Sequence, residues 1–121
     1  MSKIVQAVNA MISNPQLITK VIKHGNELFF LYKNTYKWSM TRDDDDVHIL
    51  WYYPGSETLE GLASMSGSGW DPEIEMVTYR DSEIGTKEAT ASFTELYTLL
   101  KERLYDVNEV LDDIIAGGDS H

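Results

Sequence analysis

Residues 43–46 are four consecutive aspartates, Asp43, Asp44, Asp45 and Asp46, followed at once by the apolar, aromatic run VHILWYY. Clustered carboxylates can hold Ca²⁺ or Mg²⁺, face a basic partner, or sit in a solvated turn. A calcium loop of the EF-hand type needs a glycine at its sixth position and a glutamate at its twelfth. Counted from Asp43, those positions carry His48 and Pro54. The pattern fails twice, so no metal and no cofactor is expected. Aspartate suits turns, and adjacent carboxylates resist burial. The reading is an exposed hairpin loop joined to a buried strand, with the four aspartates as candidate contacts for a basic partner.

The other chemistry-bearing residues are few. The histidines are His24, His48 and His121. His48 pairs with Asp46 only if the strand starts early enough to put both on one face; a structural or exposed histidine is the expectation. There is no HExxH, GxSxG or Walker pattern, and no cysteine nucleophile. No catalytic residues are assigned, and the chain reads as a non-enzyme. Ser66-Gly67-Ser68-Gly69 has the composition of a phosphate loop, but such a loop follows a strand and opens a helix. Here the order is expected to be reversed. Trp70, beside those glycines, is either a packed anchor or an exposed binding contact. Tyr32, Lys33, Tyr36, Lys37 and Trp38 form a basic-aromatic cluster of the kind that stacks bases. Strand alternation turns Tyr36 and Trp38 away from Lys37, so a core aromatic face with solvated lysines opposite is expected.

These residues sit in a chain of 121 residues with 42% hydrophobic and 25% charged content. That is one domain, 1–121, able to bury a core without metal or disulfides. The absence of cysteine fits a cytoplasmic protein. Gln6 and Asn9 interrupt the N-terminal apolar residues, arguing against a signal peptide, and no run is long enough for a membrane span. Net charge is −10 and unevenly laid out. Residues 1–42 hold six basic residues and one acidic; residues 43–121 hold four basic and nineteen acidic. Such a surface repels nucleic acid and attracts basic proteins.

The elements that must position these residues follow from periodicity. Ile4, Val5, Val8, Met11 and Ile12 mark a helix over 3–13. Asn14-Pro15 starts a second, with the stripe Leu17, Ile18, Val21, Ile22 and a cap at Gly25. Residues 28–32, 36–41 and 47–53 read as an antiparallel meander. A short helix capped by Ser56 follows Pro54-Gly55, and 73–80 alternates as a fourth strand. From Thr86, the residues Ala89, Phe93, Leu96, Leu100 and Leu104 mark a long helix. Asp106 with Glu109 resembles a capping box and suggests a break at Tyr105-Asp106, although one unbroken helix also fits. Gly117-Gly118 ends the element and 117–121 fray. The fold class is α+β, an antiparallel meander of about four strands packed by N- and C-terminal amphipathic helices, in the order α-α-β-β-β-α-β-α-α. Trp38, Trp51, Phe93, Leu96 and Leu100 are expected to share one core.

Two function classes remain. One is a non-catalytic acidic interaction domain (inhibitor, immunity-type protein, adaptor or nucleic-acid mimic) that binds a basic protein surface. Glu88, Glu95 and Glu102, seven residues apart, form its candidate acidic helix face. The alternative is a small-molecule binder or minor enzyme with an aromatic-lined pocket beside the sheet. Val107, Val110, Leu111, Ile114 and Ile115 either pair two copies or close the monomer's own core.

Overall fold

A computed structural model describes residues 2–65 and 73–119. The fold is α+β, with a five-stranded antiparallel sheet in the order β1-β2-β3-β4-β5. Helix α1 (Lys3–Ser13) is capped by Ser2, whose hydroxyl accepts the N–H of Val5 at 3.4 Å. It buries Val5, Val8 and Met11.

The expected second helix does not form. Pro15–Leu17 make one 3-10 turn, and Ile18–His24 form strand β1, which is why there are five strands and not four. Leu17, Ile18, Val21 and Ile22 satisfy helical spacing, but four of the seven residues in ITKVIKH are β-branched. Such residues lose χ1 freedom in a helix and pack well on a pleated sheet. His24 accordingly ends a strand, and Gly25 serves a hairpin and caps no helix. The register His24↔Glu27 leaves two loop residues, and Gly25 supplies the positive φ of 62° that such a tight loop demands.

Strands β2 (Glu27–Tyr32), β3 (Tyr36–Arg42) and β4 (His48–Tyr53) follow as the expected meander. Helix α2 (Leu59–Met65) starts two residues later than Ser56 implies, because Thr58 provides its cap by accepting the N–H of Gly61 at 3.0 Å. Strand β5 is only Val77–Arg80, the second half of the expected 73–80. A short helix α3 (Asp81–Ile84) leads to α4 (Lys87–Leu104), capped by Thr86 on the N–H of Ala89. The break at Tyr105-Asp106 is present, and α5 runs Val107–Asp119, past the expected stop at Gly117. A capping box does not cause the break. Asp106 has φ 51°, a left-handed conformation, whereas an N-cap is extended.

Both faces of the sheet are covered. On one face Leu28, Phe30, Met40 and Leu50 meet Val8 and Met11 of α1 and Phe93, Leu96 and Leu100 of α4. On the other, Phe29 and Tyr53 meet Leu59, Leu62 and Ala63 of α2. Two covers explain why ELFFLY is apolar almost throughout. They also divide the expected single core. Trp38 packs with Phe93, Leu96 and Leu100, but Trp51 belongs to the α2 side, since strand alternation puts it opposite Leu50. Among the described residues, no helix is long and apolar enough to cross a membrane.

Candidate functional site

Among the described residues, the least partnered α-helix is α5. Val107, Val110, Leu111, Ile114 and Ile115 recur at one-face helical spacing. Val107 is half-buried at the elbow, but Val110 is 51% exposed, Leu111 49%, Ile114 64% and Ile115 61%. The stripe therefore faces solvent and does not close the core. The principal neighbour of α5 is α4. Glu109, Asp112 and Asp113 are exposed, and the segment 107–119 carries no basic residue. The elbow itself is tied down by the residues just before it. Arg103 donates to the carbonyl of Ile18 at 2.6 Å, and Lys23 donates to the Tyr105 hydroxyl at 3.3 Å.

The candidate acidic residues are spread over the molecule. Glu88 and Glu95 are exposed on α4, whereas Glu102 is half-buried. Glu102 lines a groove of about 440 Å³ with Asp46, Arg42, Lys101 and Tyr105, at the root of α5. The seven-residue spacing therefore does not give one uniformly exposed stripe, because the chain turns into α5 beside Glu102.

The aspartate run is an exposed loop. Asp43 organises it by accepting the N–H of Asp45 at 2.9 Å and of Val47 at 3.0 Å. Asp46 takes φ 66° and pairs with Arg42 at 3.2 Å. Among the described residues, the carboxylates of Asp44 and Asp45 meet no partner. Among the described residues there is no cluster of three or more His, Cys, Asp or Glu that could hold a metal ion. Trp70 and Ser66–Gly69 lie outside the described residues.

Two buried polar groupings escaped sequence reasoning. His48 pairs with Asp81, not with Asp46. Asp81 accepts the His48 backbone N–H and contacts its Nδ1, both at 3.2 Å, and each side chain is only 4% exposed. The ring also meets Tyr97 edge-on at 5.4 Å. An aspartate on Nδ1 is the arrangement that orients a catalytic imidazole. Among the described residues, however, no hydroxyl is bonded to the other ring nitrogen. The pair therefore locks the start of β4 to α3. Thirty-three residues separate the partners, and only the β4–β5 pairing brings them together. On the α2 side, Glu27 accepts from Ser39 at 2.5 Å and from Tyr53 at 3.3 Å. Burial holds the Glu27 carboxyl above its ordinary value, opposed by these two hydrogen bonds. Burial first, and the adjoining Glu27, push the Tyr53 phenol far up, so it stays a donor. The expected solvated face of β3 is thus covered. Ser39 is fully buried, and half-buried Lys37 donates to the carbonyls of Gly55 and Glu57.

The aromatic cluster forms both core and cleft. Trp38 stacks on Phe30 (6.5 Å, 12°) and tilts against Tyr52 (4.9 Å, 49°). Beyond them, Tyr32, Tyr36, Trp38 and Tyr52 line a cleft of about 390 Å³ against α1. Its signal in the sequence was the YKNTYKW stretch, with Lys33 and not Lys37 at the cleft.

Compared with known protein families, curated proteins and solved structures, the chain matches none.

Proposed function

We propose that the chain is a non-catalytic, cytoplasmic interaction domain that docks through α5 onto a partner presenting an apolar groove with a basic rim. The observation that carries this reading is the exposure of Val110, Leu111, Ile114 and Ile115 along one helix face. An amphipathic helix laid into a groove is a recurring recognition mode, read as anchors at this spacing. Fully burying such an aliphatic side chain contributes about 1.5–3 kcal/mol, so the half still exposed is worth about 1 kcal/mol per anchor. The acids on α5 and the nineteen acidic residues after position 42 set the charge of the partner. Complementary charge speeds encounter more than it slows release. Nucleic-acid-binding proteins, inhibited by occupation of their phosphate-binding grooves, are the natural basic class.

The test is affinity capture from the native host with the intact chain and with a Leu111→Glu/Ile114→Glu variant, followed by kinetics on the purified partner. The variant should lose the partner while keeping its melting temperature. Raising salt should slow association and leave dissociation nearly unchanged. Retention of the same partner by the variant refutes α5 as the docking element. Charge reversal at Glu88, Glu95 and Glu102 that leaves association unchanged removes the α4 face from the interface. A second copy is the other occupant that the stripe accepts. Light scattering at several concentrations decides this, and a strict monomer throughout excludes it.

A further inference from the structure

We infer that the cleft between α1 and the sheet is a separate binding site, for a small planar aromatic ligand carrying a negative charge. The register builds it. Tyr32 stands opposite Tyr36, and Trp38 opposite Tyr52, so three strands deliver four aromatic side chains to one end of the sheet. Above them α1 presents Ala7 and Ala10, and these short side chains leave space that a larger aliphatic would fill. The volume of about 390 Å³ falls in the ordinary range for small-molecule pockets. Aromatic faces bind flat rings by stacking, and each stacked ring is worth about 1–3 kcal/mol.

The sign of the ligand's charge follows from the lining. In a chain of net charge −10, the cleft is lined by one lysine and by no carboxylate. Lys33 is held there with φ 56°, a left-handed conformation costing an ordinary residue about 1–2 kcal/mol. The adjoining Asn34, a residue type that adopts this conformation readily, shares it, and the hairpin turn sets Lys33 at the mouth. Aromatic cages also take quaternary ammonium groups, but Lys33 repels a cation and no carboxylate offsets it. A nucleic-acid strand offers rings and phosphates, yet it needs a track of cations, and this cleft has one. The Trp38 indole N–H is buried without an acceptor among the described residues.

The test is NMR of the intact protein titrated with four probes: naphthoate, neutral naphthylmethanol, cationic naphthylmethylamine and non-aromatic cyclohexanecarboxylate. Naphthoate should saturate with Kd on the order of 1 mM or tighter, the efficiency expected of a fragment. It should move the Trp38 indole and the Lys33 and Ala7 amides. The neutral and cationic probes should bind progressively more weakly, and the non-aromatic acid should not bind. Ala7→Leu, a good helix former that fills the cleft, should abolish the shifts. Tyr36→Ala, at a side chain already 45% exposed, should weaken binding at least about fivefold. Lys33→Gln should weaken it about two- to fivefold. Leu111→Glu/Ile114→Glu should change nothing here, which separates this site from docking through α5. Three results overturn the inference: a cation that binds best, shifts confined to α5, or Ala7→Leu without effect.

Discussion

Phe93→Ala and Ile114→Ala make a matched pair, because both remove an apolar side chain from a C-terminal helix but from opposite surroundings. Phe93 is 0% exposed, in contact with the sheet-side cluster of Phe30, Met40 and Leu50. Truncating a buried phenylalanine costs about 3–5 kcal/mol, the transfer term plus a cavity that the neighbours fill only in part. At about 2.1 cal/mol/K per residue, the unfolding entropy of this chain is about 0.25 kcal/mol/K. The melting temperature should therefore fall by about 12–20 °C. Ile114 is 64% exposed, and a surface change of this kind costs at most about 0.5 kcal/mol, or about 2 °C. Calorimetry of the purified monomer at low concentration measures both. If Phe93→Ala melts within two or so degrees of the parent, α4 does not pack on the sheet. If Ile114→Ala falls as far as Phe93→Ala, the α5 stripe is buried and the docking surface does not exist.

Three further outcomes follow from the polar groups. Asp43→Ala should cost about 1 kcal/mol in urea unfolding, because it strands the N–H groups of Asp45 and Val47, whereas Asp44→Ala should stay within about 0.5 kcal/mol; equal effects would refute the turn. Asp81→Ala should cost about 1–3 kcal/mol by leaving the His48 N–H and Nδ1 unpaired, and Asp81→Asn less, since the amide oxygen keeps one bond; a neutral Asp81→Ala refutes the lock. Glu27, raised by burial, binds its proton more tightly folded than unfolded, so its contribution to stability falls as pH rises through the ordinary glutamate value toward the folded one. Melting curves from about pH 4 to about pH 8 should show this slope flattened in Glu27→Gln; an unchanged slope assigns it to other groups.

The fold was legible wherever local pattern and burial agree. Alternation in YKWSMT and VHILWYY placed β3 and β4, and the spacing from Ala89 to Leu104 placed α4. Residues 18–24 were misread because their apolar positions fit both periods and the β-branched content decides only by a small margin per residue. The candidate site was legible in part. The aspartate loop is exposed as expected, and of the two outcomes open to the α5 stripe the structure shows exposure, but the spacing of Glu88, Glu95 and Glu102 carries no sign that α5 bends away beside Glu102.

The sequence by itself determined which residues are apolar, at what period, and where charge accumulates, because those are local properties of the chain. It thereby determined an α+β protein with an acidic C-terminal part and no recognisable catalytic motif. Only the tertiary structure decided which apolar faces find cover. Trp51 and Ser39 lie beneath α2, a covering that depends on how a seven-residue helix folds back across the sheet. His48 meets Asp81 because β5 pairs with β4, a contact no spacing encodes. The α5 stripe faces solvent because Asp106, in a left-handed conformation, turns the helix away before its apolar face can reach the sheet. Periodicity fixes the face of an element, but burial depends on a partner arriving from elsewhere in the chain. Here α4 finds the sheet, and the apolar face of α5 stays exposed.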